Sequence, residues 1–221
     1  KQRQEALSVP VNYSRGIKKY RRFKKPNLGA DFSLAKYQYS AKSNHMAAIA
    51  YLTEKVNIAV FDQQAKVLSK YQIAPPTWKA ADENEKNILQ TFTRVYPDAF
   101  LGHVSFGDYV WGHKEGVNIA TGKKVPVPGQ KGSVVRGVAG TYLIVSNPKG
   151  ADEEVRAYAP GAYDDPALTV SGQGHLQSFS AETLAFAKKL GRDSDISLLY
   201  LKTGKIVNTH VKGATMPISG V

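Results

Sequence analysis

Short apolar runs broken by Gly, Pro, Asn and Asp, with no strand-helix-strand rhythm between them, restrict this chain to a sheet whose neighbouring strands run antiparallel. Val56, Ile58 and Val60 alternate along one strand, and Val67, Tyr71 and Ile73 resume after the polar break Asp62-Gln63-Gln64, which reads as a hairpin. Thr141 to Ser146 and Val155 to Tyr158 flank Asn147-Pro148-Lys149-Gly150, where Pro and Gly stand as a type I turn prefers them. Ile196 to Leu201 and Ile206 to Val211 flank Lys202-Thr203-Gly204-Lys205, a tight connection. Between Gly102 and Gly140 the β-prone pieces Asp108 to Trp111 and Val117 to Ala120 lie among glycines, and Pro160 to Gly174 reads as a long loop. No internal repeat is read.

Three segments carry helix signals. Ser43 or Asn44 can cap a helix through Met46, Ile49 and Leu52, ending near Glu54. After Pro75 and Pro76, the start chemistry of Thr77 to Asp82 precedes Glu83, Glu85 and the stripe Ile88, Leu89, Phe92, Val95, Tyr96, with Arg94 and Pro97 at its end. Ser180 can cap a helix carrying Leu184, Ala187, Lys188 and Leu190, with Gly191 at its C-terminus. The expected fold is therefore α+β: a mainly antiparallel sheet built from hairpins, two or three helices, an extended basic arm over residues 1–30 and a single domain over residues 31–221.

That arm holds most of the charge. Nine basic residues stand against Glu5 in residues 1–30, a net of +8, so the other 191 residues carry +4 of the total +12. A charge this local points to anionic partners: nucleic acid, an acidic protein face or an anionic membrane surface. Within it Lys18, Lys19, Tyr20, Arg21, Arg22, Phe23, Lys24 and Lys25 set cations beside rings on which bases can stack, the chemistry of single-stranded nucleic-acid binding. Docking on an acidic protein surface is the competing reading of the same residues. The first residue is Lys1, which reads as a processed product or a part of a longer polypeptide, so the compartment stays open. The longest apolar stretches, Met46 to Leu52 and Val138 to Val145, are shorter than the ~20 residues of a spanning helix.

The chain has no cysteine, which excludes disulfides, thiolate metal sites and cysteine nucleophiles. Acid-base work at neutral pH then falls to His45, His103, His113, His175 and His210. His103 and His113 flank a strand-like stretch, and a hairpin there would bring them together with Lys114 and Glu115. Such a set suits metal-independent phosphodiester cleavage, one group taking the 2′-hydroxyl proton and another protonating the leaving oxygen. The carboxylate clusters Asp152, Glu153, Glu154 and Asp164, Asp165 have oxygen chemistry for a divalent cation, but their spacing fits solvated turns better than a calcium loop. No phosphate-binding glycine loop and no G-x-S-x-G elbow occurs, and neither a cofactor nor a metal is expected.

Phe179-Ser180-Ala181-Glu182-Thr183-Leu184-Ala185-Phe186-Ala187, followed by Leu199-Tyr200-Leu201-Lys202-Thr203-Gly204-Lys205-Ile206, resembles the end of JAB-type metallopeptidase-like domains, including those of bacterial polymorphic toxins. In that family a Phe-Ser opens a helix and a Tyr-Leu strand turns through Thr and Gly. Its zinc site uses an upstream His-x-His pair and an Asp three residues after the Ser; here Thr183 holds the Asp position and His175 stands alone. The resemblance implies a delivery context or a scaffold role and supplies no catalytic residue. Two functions follow as expectations. One is a basic domain that binds or cleaves nucleic acid, as a delivered toxin with metal-independent nuclease chemistry. The other is a non-enzymatic subunit of a phage, secretion or surface assembly whose arm docks on an acidic partner.

Overall fold

Residues 6–14, 17–52, 55–73, 104–150, 152–190 and 192–213 are described by a computed structural model of the chain. Among them stand eighteen strands, a single 3₁₀ turn at Ala30–Phe32 and no α-helix. The described chain is all-β, and the α+β class expected from the sequence is corrected. The helix expected over 83–96 lies outside the described residues, as do Gly191 and His103.

β1 (Ala6–Ser14) and β2 (Ile17–Lys24) pair as an antiparallel hairpin. The other strands form four antiparallel sheets, each made of four consecutive strands. The first contains β3 (Lys36–Ser40), β4 (His45–Leu52), β5 (Lys55–Phe61) and β6 (Val67–Ile73). The second contains β7 (Val104–Phe106), β8 (Tyr109–Trp111), β9 (Glu115–Asn118) and β10 (Lys123–Pro126). The third contains β11 (Val134–Ala139), β12 (Tyr142–Lys149), β13 (Asp152–Tyr158) and β14 (Leu168–Val170). The fourth contains β15 (His175–Phe179), β16 (Thr183–Leu190), β17 (Asp193–Tyr200) and β18 (Ile206–Val211). Each sheet has the up-and-down strand order of a propeller blade.

Two of the three expected helices are strands, and the reason is the same each time. Met46 to Leu52 is β4, a central strand buried on both faces: Ala47 and Ile49 pack with Ile58 and Val60, while Met46 and Ala48 pack with Ala59 and Phe61. Burial on both faces erases the alternation that marks a strand and leaves an apolar run on which a spacing of three can be read by chance. The cap residues are genuine hydrogen-bonding groups used to close hairpins. Ser43 Oγ accepts from His45 N at 3.3 Å, and Ser180 Oγ accepts from Glu182 N at 3.2 Å and Thr183 N at 3.1 Å. The helix implied by the JAB-type resemblance after Phe179-Ser180 is β16, whose Leu184 and Phe186 enter a core at a spacing of two.

The expected hairpins of Val56 to Ile73 and Ile196 to Val211 are β5-β6 and β17-β18. In the third sheet the turn comes later than expected, because Pro148 pairs with Glu153 and Lys149 with Asp152, carrying the ladder to Lys149. Leu168–Val170, read as loop, adds β14.

The chain divides into two compact units, Lys1–Pro126 and Val127–Val221. In the first, one core joins β4, β5 and β6 to Val110, Val117 and Ile119 of the second sheet and its turn, and the opposite face of β4 and β5 buries Phe23. In the second, Ile144, Val155, Ala157 and Val170 of the third sheet meet Leu176, Leu184, Phe186 and Leu199 of the fourth.

A repeat absent from the sequence reading is visible once the strands are placed. Three sheets join their last two strands through turns that end on a lysine, Gln64-Ala65-Lys66, Thr121-Gly122-Lys123 and Thr203-Gly204-Lys205, the first closed by Ala65 N donating to Asp62 O three residues back. The middle residue is left-handed in all three, with φ of 70° at Ala65, 66° at Gly122 and 68° at Gly204. At Asn118 and Tyr200 the carbonyl accepts from the glycine N–H at 2.8 Å in both turns.

Candidate interaction surface

The basic segment is built into a sheet. Its register pairs Lys24 with Ala6, Phe23 with Leu7, Arg22 with Ser8, Arg21 with Val9, Tyr20 with Pro10 and Lys19 with Val11. Lys18, Lys19, Tyr20 and Arg21 are positions on β2, and the described side chains begin at Arg22. Phe23 is 0% exposed and packs edge-on against Tyr39 at 5.7 Å between ring centroids. One of the two rings expected to stack on bases is thus a core residue, and burying it offsets the cost of holding the hairpin on the sheet. Period two then places Arg22 and Lys24 outward, and both are exposed, as is Lys25 beyond the strand end.

Two backbone approaches extend this basic surface. Lys24 N donates to Gln63 O at 3.0 Å, which sets the end of β2 beside the β5-β6 turn and exposed Lys66. A Cβ on Gly122 would meet Ser69 Oγ at 3.1 Å, so the β9-β10 turn and its exposed Lys123 lie against β6. Lys70 on β6 lies on the Phe23 side of the sheet, donating to Leu28 O at 3.4 Å with its ammonium 6.0 Å from the Phe32 ring centre. Two acids at these turns have partners. Asp62 Oδ1 accepts from Gln64 N and Lys66 N, each at 2.9 Å, and Glu115 pairs with Lys124 at 2.9 Å. By composition the first unit holds 20 basic against 10 acidic residues, net +10, and the second 10 against 8, net +2. Lys66, Lys70 and Lys123 were missed from sequence because strand pairing and packing, which place them around β6, are not local properties of the chain.

The proposed cleavage set is described only in part. His103 lies outside the described residues, and half-buried His113 and exposed Lys114 occupy the turn after β8, closed by Gly112 N donating to Glu115 O at 2.8 Å. Glu115 is engaged by Lys124, which also lies 5.6 Å from the Tyr71 ring centre. His45 Nδ1 stands 3.2 Å from Ile119 O, and His175 is exposed at the start of β15.

Asp152, Glu153 and Glu154 are committed to structure. Buried Glu153 accepts from Leu176 N at 2.8 Å while Arg136 donates to Leu176 O at 3.2 Å, so one side chain satisfies each backbone group of that residue. Asp152 accepts from Gly174 N at 3.0 Å, and Lys188 approaches it at 3.4 Å. Glu154 lies between Lys149 and Arg156, each at 2.7 Å; the hydrogen bond from Lys149 leads in holding its pKa below the usual carboxylate range, with Arg156 adding and burial opposing. Asp164 and Asp165 are exposed. Among the described residues no group of three or more His, Asp or Glu is arranged to hold a metal ion.

No family model matches the chain, and no curated protein matches it. Similar solved structures include TolB from Acinetobacter baumannii, 11% identical over 90% of this chain with a TM-score of 0.35. They also include the AfRom2 CNH domain, 10% identical over 97% with a TM-score of 0.33, and a prolyl endopeptidase, 17% identical over 89% with a TM-score of 0.32. The chain spans 47% of the TolB chain, 67% of the CNH chain and 27% of the endopeptidase chain. Likeness at this level assigns no activity to this chain.

Proposed function

We propose that the chain is a non-enzymatic interaction module whose first unit docks on an acidic protein surface through the β1-β2 hairpin and the lysines around β6. The observation that carries this reading is the division of labour within β2: Phe23 is buried while Arg22 and Lys24 are exposed. A hairpin fastened by its aromatic residue offers an ordered row of cations and, at Phe23, no stacking platform, which favours charge complementarity over base stacking. Its backbone is paired as a strand before binding, so little loop ordering opposes association.

The test compares polyglutamate with single-stranded RNA and DNA of equal charge as salt is raised. Polyglutamate is expected to bind and to lose affinity steeply with salt. Charge reversal at Arg22→Glu with Lys24→Glu should abolish most of that affinity. A flat salt curve, or full binding by the reversed variant, sinks the proposal. Markedly tighter binding of RNA or DNA than of polyglutamate replaces it with the nucleic-acid reading.

A further inference from the structure

His210 lies on β18, the outer strand of the fourth sheet, directly opposite Asp195 on β17. Its Nδ1 stands 2.7 Å from Asp195 Oδ1, and its Nε2 stands 3.4 Å from Asp193 Oδ2. The other oxygen of Asp193 accepts from Gly213 N at 3.0 Å, just past the end of β18. One imidazole therefore faces a carboxylate at each nitrogen, and one of those carboxylates also ties down the end of the strand. A neutral imidazole has one N–H and can serve only one acid; the imidazolium has two and serves both. We propose that Asp193, His210 and Asp195 form a pH-sensitive clasp that fastens edge strand β18 to β17 when His210 is protonated.

The surroundings set its polarity. On the neighbouring strand Lys188 pairs in register with Asp195 and Leu190 with Asp193, while Lys188 also approaches Asp152 at 3.4 Å. On β18 itself the alternate positions either side of His210 are Asn208 and, just beyond the strand, Lys212. Two carboxylates against one imidazole favour its charged form. The His210 pKa is raised above its ordinary value, first by the hydrogen bond to Asp195, then by the charges of Asp195 and Asp193, with desolvation opposing.

For a group raised in the folded state, the added stability is complete below the unfolded pKa and is lost as pH rises through the folded one. Loss of the proton leaves a lone pair facing one carboxylate, and β18 loosens from acid to alkaline conditions. Its release uncovers the edge of β17, a row of backbone donors and acceptors able to pair with another strand.

Hydrogen exchange of the backbone amides of residues 206–213, corrected for the intrinsic pH dependence of exchange, tests this on the full chain. Protection should fall several-fold as pH rises through the His210 titration seen by NMR. Asp195→Asn should move that fall to lower pH, and His210→Gln should leave protection low and flat. Protection that is constant across the titration in the unaltered protein overturns the clasp, as does a pH-dependent fall that survives in His210→Gln or stays in place in Asp195→Asn.

Discussion

Ala65 holds a left-handed backbone, φ 70°, at the position where the equivalent turns have Gly122 and Gly204. An L residue pays about 1–2 kcal/mol in that region, and glycine returns part of it as chain entropy in the unfolded state. Ala65→Gly should therefore stabilise the protein by up to about 1 kcal/mol, read as a higher urea midpoint at unchanged slope. The reverse changes separate strain from crowding. Nothing lies within 4 Å of a Cβ on Gly204, whereas one on Gly122 meets Ser69 Oγ at 3.1 Å. Gly204→Ala should cost about 1 kcal/mol and Gly122→Ala more. Glu154 is the residue to watch in acid. Its lowered pKa means that its contribution is present above the ordinary carboxylate range and disappears as pH falls through the folded value. Glu154→Gln should flatten the loss of stability between neutral and acid solution, measured by urea unfolding at each pH; an unaltered slope would show that the Lys149 and Arg156 pairs contribute nothing.

At the scale of elements, the hairpin β1-β2 depends on one side chain. Phe23 enters a cluster with Met46, Ala48, Ala59 and Phe61, supported by Tyr37 and Tyr39. Phe23→Ala should cost about 3–5 kcal/mol and expose the hairpin amides to exchange before those of β5. Equal protection in both elements would mean that the hairpin is held by its backbone contact at Gln63 instead. Hairpins joined by tight turns were legible from the sequence, because Asp62-Gln63-Gln64 and Lys202-Thr203-Gly204-Lys205 advertise their chemistry over a few residues. β4 and β16 were not. A buried central strand and an amphipathic helix can share a short apolar spacing, and Ser180 caps a tight turn with the same hydroxyl that would cap a helix.

For the whole molecule, the charge difference between the two units is the basic N-terminal segment: residues 1–30 carry +8, while residues 31–126 carry +2, the same as the second unit. The first unit carries net +10 and the second net +2. Two charge-reversed double variants test whether location or total matters: Lys66→Glu with Lys123→Glu in the first unit, and Lys202→Glu with Lys205→Glu in the second. The first pair lies at the β5-β6 and β9-β10 turns and the second within the β17-β18 turn, and each changes net charge equally. Polyglutamate binding should drop sharply for the first pair and little for the second; equal losses would reduce the interaction to net charge alone.

From residues alone came the antiparallel character, several hairpins and the concentration of cations near the N-terminus, because alternation, turn chemistry and charge are properties of short stretches. Tertiary structure decided the rest. Burial on both faces turned Met46 to Leu52 into a strand, and a core pocket took Phe23 out of a candidate binding surface. Pairing across β17 and β18 set His210 between Asp193 and Asp195, residues fifteen or more positions away along the chain. Which side chains meet is fixed by strand register and sheet packing, and neither is a local property of the sequence.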